Sequence, residues 1–576
     1  MAYCQVDAQQ VTNIGRNVLA MDDYLLAIQY FNQAIKSKPY LSDPYYYRGL
    51  AKIYLGDFQG AEEDCTLAIE RNKYRYDAYK VRGVSRIRLN KGQEAIEDFN
   101  LGLYYQPNDR DLLYYKALQL TKTGAYSEAD STFQTLQKHY PTFENGLSAY
   151  SHMLTQKGDS VAAYKVLLEA RKKYPKLIMP YLLSAELEQS NSQWADAIIS
   201  LDEAIKLKPR DVSFYINRAF YRYNLEDAEG AYRDYKIAEA LDPENKVVLH
   251  NLSVLNKQPK FPANGITLSI DELDTYFSSK QYSKTPLSFL TINPNINYDV
   301  AFIPNEKRNG ASTEDKGPEI YQPLPPYSLT FIDSTDDLHP RSNFIRELDK
   351  INSSGKSYYK IYLNNDFTSL SNNNYLTELF AYSDFLDNKE RRNEIEPLDY
   401  LIRGIVRCLL KNYEGALEDL DKAIEGNSQF SIPYFQRSFV ILALEAAKER
   451  INLSNPNITD RGSLILNENQ RKSTYTKALD DLNSTLKINS RNTFAWYNKG
   501  IIYYELKEFD EALNCFDEAI KLNPDFGNSW YNRALTLYAL DKRDEAVRNL
   551  SKAGELGVVN AYKILKYIAS ESIISN

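Results

Sequence analysis

The sequence predicts an all-α fold: a superhelical solenoid of helical hairpins in two blocks, separated by an irregular, partly β insert. Three observations predict it. Alanine recurs at one place in a 34-residue frame at Ala27, Ala61, Ala95, Ala129, Ala163, Ala197 and Ala231, and again at Ala416, Ala478, Ala512 and Ala546. A small residue stands twelve positions before most of these, and proline repeatedly closes the frame. Between the blocks the period vanishes and proline-rich polar stretches alternate with short β-like runs. The organisation that follows is an N-terminal solenoid over 8–256 (seven repeats and a trailing helix), an irregular segment over 257–375, and a C-terminal block over 376–576. That last block holds four repeats, one with a long internal loop, and a capping helix.

One frame explains the rest. In Thr493–Phe526, helix A carries the large Trp496 and then the small Gly500, which lets a neighbouring helix approach. After a turn over 505–509, helix B carries Ala512, Phe516 and Ala519 at i, i+4 and i+7, one face of a helix. Pro524 ends the hairpin, because proline cannot continue a helix. The eighth position is small throughout: Gly15, Gly49, Gly83, Ala117, Ser151, Ala185, Ala219, Gly404, Ser438, Gly500 and Ala534. Closing prolines recur at Pro39, Pro107, Pro141, Pro175, Pro209, Pro243 and Pro524.

These residues and spacings resemble the tetratricopeptide repeat (TPR), over roughly two thirds of the chain. One frame departs from the pattern: it begins near Ser431, but its aligned Ala478 comes 28 residues late. The excess includes 451–470, rich in Asn, Ser, Pro and Gly, and reads as an extended loop inside one hairpin. In the middle segment, 304–326 is proline-rich, while 327–332 and 358–363 read as strands and 376–392 as a helix. Its aromatics predict a segment folded against the solenoid, and 550–568 predicts a final helix covering the last repeat.

A charge pattern follows the frame. Position seven is Arg48, Arg82, Arg218, Arg403 and Arg437, and the same five frames carry Asp64, Asp98, Asp234, Asp419 and Asp481 at position twenty-three. Arg533 alone among the other frames keeps the arginine. Antiparallel helices joined by a short turn bring these two positions together, so an Arg–Asp pair is predicted to bridge helix A and helix B in five hairpins. Such a pair fixes geometry more than it adds net stability. A row of arginines offered to an acidic ligand is the disfavoured alternative.

The family resemblance implies that helix-A positions two, five, nine and twelve line the concave face that binds partners. In the first block these give Tyr46, Leu50, Ile53, Lys80, Val84, Ile87, Tyr114 and Leu118. In the second they give Leu401, Ile405, Phe435, Phe439, Leu442, Tyr497, Ile501, Tyr504, Tyr531, Leu535 and Tyr538. So apolar a set predicts exposed patches and hence an interface. For the second block two occupants stay open: a hydrophobic peptide or helix from another protein, or this chain's own middle segment. The family's clamp for chaperone tails would need Lys and Asn at positions five and nine; Lys80 fits but its companion is Val84, which argues against such tails.

Composition bounds the remaining classes. The chain is 43% hydrophobic and 25% charged, normal for a folded protein, and its net charge of −8 argues against nucleic acid as partner. No stretch approaches the roughly 18–20 apolar residues of a membrane span. The 47 tyrosines fall mostly at packing positions. Cys4, Cys65, Cys408 and Cys515, and His139, His152, His250 and His339, form no metal or redox spacing, and no catalytic motif is present, so no cofactor, metal or enzymatic activity is expected. The expected function is a noncatalytic scaffold or adaptor for protein or peptide partners, the alternative a structural spacer in an envelope or secretion assembly. Stretches such as 13–17, 27–40, 56–72 and 550–568 resemble a two-block TPR subfamily of Gram-negative anaerobes. That resemblance implies a periplasmic or cell-envelope protein whose leader has been removed; a cytoplasmic protein is the alternative.

Overall fold

The computed structural model describes residues 7–256, 322–331, 343–365, 373–453 and 461–574. Helical hairpins follow the 34-residue register through both blocks, from Ala8–Leu19 with Tyr24–Ser37 to Gly527–Ala539 with Arg543–Glu555. The need for a small eighth residue is steric. A Cβ on Gly15 would lie 2.6 Å from the Phe31 ring, and one on Gly500 would lie 2.6 Å from Phe516; both rings belong to helix B of the same hairpin. In every hairpin of ordinary length the turn puts its fifteenth frame residue in the left-handed region, with φ of 79° at Gly56, 59° at Asn90, 63° at Glu226 and 61° at Lys507. Side-chain caps start several helices: Asp109 accepts from Leu112 N, Asn492 from Ala495 N, and Asp227 from Gly230 N.

The chain divides into two compact units, Met1–Ala61 with Ser312–Asn576, and Glu62–Ala311. This differs from the boundaries expected at 256 and 375, because the first hairpins pack on the last. Ile28 and Ala51 share a buried cluster with Tyr531, Leu535, Leu550, Tyr562 and Leu565. Buried Lys52 donates to the Glu555 carboxylate, Asn32 Nδ2 donates to the Glu555 carbonyl at 2.7 Å, and Ser551 Oγ donates to Asp57 at 2.5 Å. The final helix, Val559–Ile574, covers the last repeat through Tyr562 and Leu565, and it also meets the first hairpins. Its Lys566 backbone lies 3.3 Å from where a Cβ on Gly56 would stand.

The stretched frame differs from its expectation. The inserted residues at both ends continue the helices, giving Ser431–Leu453 and Arg461–Ile488, so 451–453 and 461–470 of the expected loop are helical, while 454–460 lie outside the described residues. The run Leu464–Lys472 is dominated by residues that lose little rotamer freedom in a helix, which outweighs its asparagines. Of the middle segment, β1 (Ser328–Thr330) and β2 (Tyr362–Asn364) pair antiparallel with Leu329 opposite Leu363, and helices span Asn343–Ser353 and Asn373–Arg391. The first of these helices has no counterpart in the sequence reading. The proline-rich run over 304–321, Ile332, Cys4 and His339 lie outside the described residues.

Candidate functional site

The concave face of the second block is built from helix A of successive hairpins: Ser431–Leu453, Thr493–Glu505 and Gly527–Ala539. An extended strap from the middle segment, residues 322–331, runs across it, and three amide side chains grip its backbone. Leu324 N donates to Asn532 Oδ1 at 2.8 Å while Asn532 Nδ2 donates to Leu324 O at 3.1 Å. Three residues on, Tyr327 N donates to Asn498 Oδ1 at 2.8 Å, and Asn498 Nδ2 returns a bond to Tyr327 O at 2.8 Å. Leu329 N then donates to Gln436 Oε1 at 2.8 Å, joined there by Ser328 Oγ at 3.1 Å. Gln436, Asn498 and Asn532 are each the sixth residue of their helix A. The strap therefore runs opposite to the order of the hairpins, and these N–H and C=O groups are satisfied without use of side-chain identity.

Identity is read by an aromatic pocket. The Tyr327 ring packs against Phe494 (5.0 Å between centroids), Tyr497 (5.5 Å) and Phe526 (5.6 Å), and its hydroxyl accepts from Asn528 Nδ2 at 2.8 Å. Tyr497 donates its hydroxyl to Leu324 O at 3.1 Å, and burial pushes that hydroxyl well above the ordinary phenol range, so it is a neutral donor. Leu329, Phe331, Leu363 and Phe344 join Leu401, Ile405 and Phe435 in one buried cluster. Glu347 anchors the helix behind the strap by accepting from Ser431 at 3.0 Å and Asn489 at 2.8 Å.

The predicted lining residues are thus mostly buried, where exposed patches were expected. Phe435 and Tyr497 lie beneath the strap, and Phe439 and Tyr504 pack half-buried on the same cluster. Tyr531 is buried with the first hairpins, and Tyr538 lies beneath Arg543 at 5.9 Å. In the first block Tyr46, Ile53, Val84, Ile87, Tyr114 and Leu118 are buried and Leu50 is intermediate. Lys80 pairs with Asp111 at 3.3 Å and Asp109 at 3.6 Å. The sequence reading took positions two, five, nine and twelve and missed position six, although an amide recurring on an otherwise apolar helix face was there to be seen.

The arginines make two bridges where one was predicted. Each donates to an aspartate on its own helix B: sixteen positions ahead for Arg82 to Asp98 (2.6 Å), Arg218 to Asp234 (2.6 Å) and Arg403 to Asp419 (2.7 Å), and 44 positions ahead, across the stretched frame, for Arg437 to Asp481 (2.5 Å). Each also donates sixteen positions back, to the preceding helix: Arg82 to Thr66, Arg218 to Asp202, Arg403 to Asp387 and Arg437 to Asp421. Arg533 repeats this with Asn549 and Asp517. In the fifth predicted frame, Arg48 donates to Asn32 at 2.8 Å and lies 3.9 Å from Glu555. Bonds to Asp481 hold the Arg437 guanidinium above its ordinary range against the opposing effect of burial. These arginines hold hairpins in register and are not aligned for an acidic ligand.

Among the described residues, no group of three or more His, Cys, Asp or Glu is placed to hold a metal ion, and no helix is long and apolar enough to cross a membrane. Cys65, Cys408 and Cys515 are buried free thiols.

Family models described as tetratricopeptide repeat match residues 111–142 and 493–526. Similar solved structures include a tetratricopeptide repeat protein from Parabacteroides merdae, at 16% identity and a TM-score of 0.32, covering 43% of this chain and 98% of that one. Another is the C-terminal part of a TPR repeat-containing protein from Cytophaga hutchinsonii, at 16% identity and a TM-score of 0.35, covering 42% and 99% respectively. No curated protein matches the chain.

Proposed function

We propose that this chain, a tetratricopeptide-repeat protein, is a noncatalytic adaptor whose concave faces hold extended peptide segments by their backbones. The observation that supports this reading is the strap. Its ten residues occupy the second groove as a ligand would, with bidentate amide bonds at Leu324 and Tyr327 and an aromatic pocket for one side chain. A groove that binds a segment in cis has the chemistry to bind one in trans, and tethering raises the local concentration of the resident segment to the millimolar order. A partner must therefore outcompete the strap, which makes occupancy selective.

The test is binding in trans. A labelled peptide of sequence 322–331 is titrated into the full chain carrying Tyr327→Ala, which weakens the resident strap. Saturable binding that Asn498→Ala reduces by about tenfold or more, the scale of two lost hydrogen bonds, supports the reading. Absence of binding to the strap-weakened chain sinks it. A structural spacer in an envelope or secretion assembly, the second reading, would tolerate groove substitutions and fail on truncation of whole hairpins. Residence in the cell envelope belongs to the same proposal and rests on the resemblance of 13–17, 27–40, 56–72 and 550–568 to exported two-block relatives; cell fractionation with protease protection decides it.

A further inference from the structure

The first clamped residue of the strap lies where the two ends of the chain meet. Leu324 packs on the apolar cluster that Ile28 and Ala51 of the first hairpins share with Tyr531, Leu535, Leu550 and Tyr562. One helix serves both contacts. On Gly527–Ala539, Asn532 clamps Leu324 and Asn528 holds the Tyr327 hydroxyl, while Tyr531 and Leu535 belong to the cluster. Tyr504, on Thr493–Glu505, packs on this cluster and also on the one beneath the strap. A displacement of the hairpins is therefore felt at the leading end of the strap. The far end is held elsewhere, with Leu329 N bonded to Gln436 on Ser431–Leu453 and β1 paired to β2.

The contact that the hairpins make has the composition of one that opens. Among the described residues, they bury only Ile28 and Ala51 fully in this cluster; Leu19, Tyr24, Leu25 and Leu55 are half-buried at its edge. The rest is polar. Lys52 donates to the Glu555 carboxylate, Gln29 and Asn32 donate to the Glu555 carbonyl at 3.2 and 2.7 Å, and Ser551 donates to Asp57 at 2.5 Å. A buried ion pair fixes one arrangement while adding little net stability. Polar interfaces within one chain resemble those of transient complexes, and motion across them is the default.

We infer that the N-terminal hairpins lock the strap in its groove: the leading end of the strap, at Leu324, comes free only when the hairpins leave the last repeat and its capping helix. The inference deepens the adaptor reading above and rests on it, because it gives the regulation of that same groove. The strap is released in order. The hairpins part at Lys52–Glu555 and Asp57–Ser551, Leu324 loses its cover and then its clamp, and Leu329 stays with Gln436. Linkage makes the device reciprocal, so whatever displaces the strap from Asn532 also loosens the hairpins.

The test wedges the contact apart in the full chain, from each side in turn. A Cβ on Gly60 would stand 2.2 Å from Ser551 Oγ, so Gly60→Leu drives bulk into the contact from the hairpins. It also meets Asp57 of its own hairpin at 2.4 Å, and Ser551→Leu, entering from the last repeat, is the variant that leaves the hairpins' own sequence intact. Opening is scored by protease cleavage within 8–61, and release by amide hydrogen exchange of the strap. Both variants are expected to become cleavable there and to speed the Leu324 amide by about tenfold or more, with the Leu329 amide within about twofold of the parent. Cleavage without faster exchange at Leu324 would overturn the inference, and so would equal quickening at Leu324 and Leu329, which is general loosening. Resistance of 8–61 in both variants would overturn it too, since the contact would then not open. No peptide is added, so the lock can fail while the Tyr327→Ala chain still binds the strap peptide, and it can hold where that chain binds none; the two failures are told apart.

Discussion

At the scale of single residues, the Asp at position twenty-three shows what a repeat can and cannot disclose. Its pairing with the arginine sixteen residues earlier was legible, because two positions varied together across frames and a hairpin forces them to meet. The arginine's second bond, sixteen residues back, was not, because its acceptors are chemically mixed: Thr66, Asp202, Asp387, Asp421 and Asp517. Asp419 is wholly buried between Arg403 and Arg407, so Asp419→Ala should cost about 3–5 kcal/mol by leaving buried cations unpaired. The triple change Arg403→Met, Arg407→Leu, Asp419→Leu should recover most of that loss in thermal unfolding, and a triple variant weaker than the single one would contradict the account. Glu390 offers a pH readout on the same cluster: bonds from Lys422, then Arg403, outweigh burial and lower its carboxyl to about 2. A carboxyl depressed on folding contributes stability that is present above about 4.5 and lost as pH falls toward 2. Glu390→Gln should flatten the stability profile over that window; an unchanged profile would contradict the assignment.

At the scale of elements, periodicity disclosed the hairpins and the position-eight glycines, since the reason for both is local. A methyl added at Gly500 meets the Phe516 ring, so Gly500→Ala should cost about 1–3 kcal/mol despite alanine's higher helix propensity, as urea unfolding would measure. A gain in stability would mean that the ring yields freely. The insertion reads as a loop because Asn, Ser and Pro dominate its centre, yet the helices on both sides lengthen into it, to Leu453 and from Arg461. The strap was half legible. Its β character at 327–332 and its folding against the solenoid followed from its aromatics. Its grip by Gln436, Asn498 and Asn532 did not, because the family's lining positions drew attention to two, five, nine and twelve.

At the scale of the molecule, the division into units was hidden from the sequence. Nothing in a 34-residue period says that Ile28 and Ala51 will share a cluster with Leu550 and Tyr562. Lys52 is the signal in hindsight: a lysine on an otherwise apolar helix face, buried against Glu555, whose carboxyl Lys52, Arg48 and Lys552 hold well below its ordinary range despite burial. Lys52→Met should cost about 3–5 kcal/mol by stranding Glu555, and should expose the hairpins of 8–61 to limited proteolysis, while Lys52→Met with Glu555→Leu restores resistance. The central claim is that a concave face of this protein holds an extended chain by its backbone. Amide hydrogen exchange across 322–331 tests it most directly. The account predicts slow exchange of the Leu324, Tyr327 and Leu329 amides in the native chain, with Asn498→Ala speeding the Tyr327 amide by about tenfold or more. Rapid exchange of all three in the native chain, or rates that Asn498→Ala leaves unmoved, would contradict it.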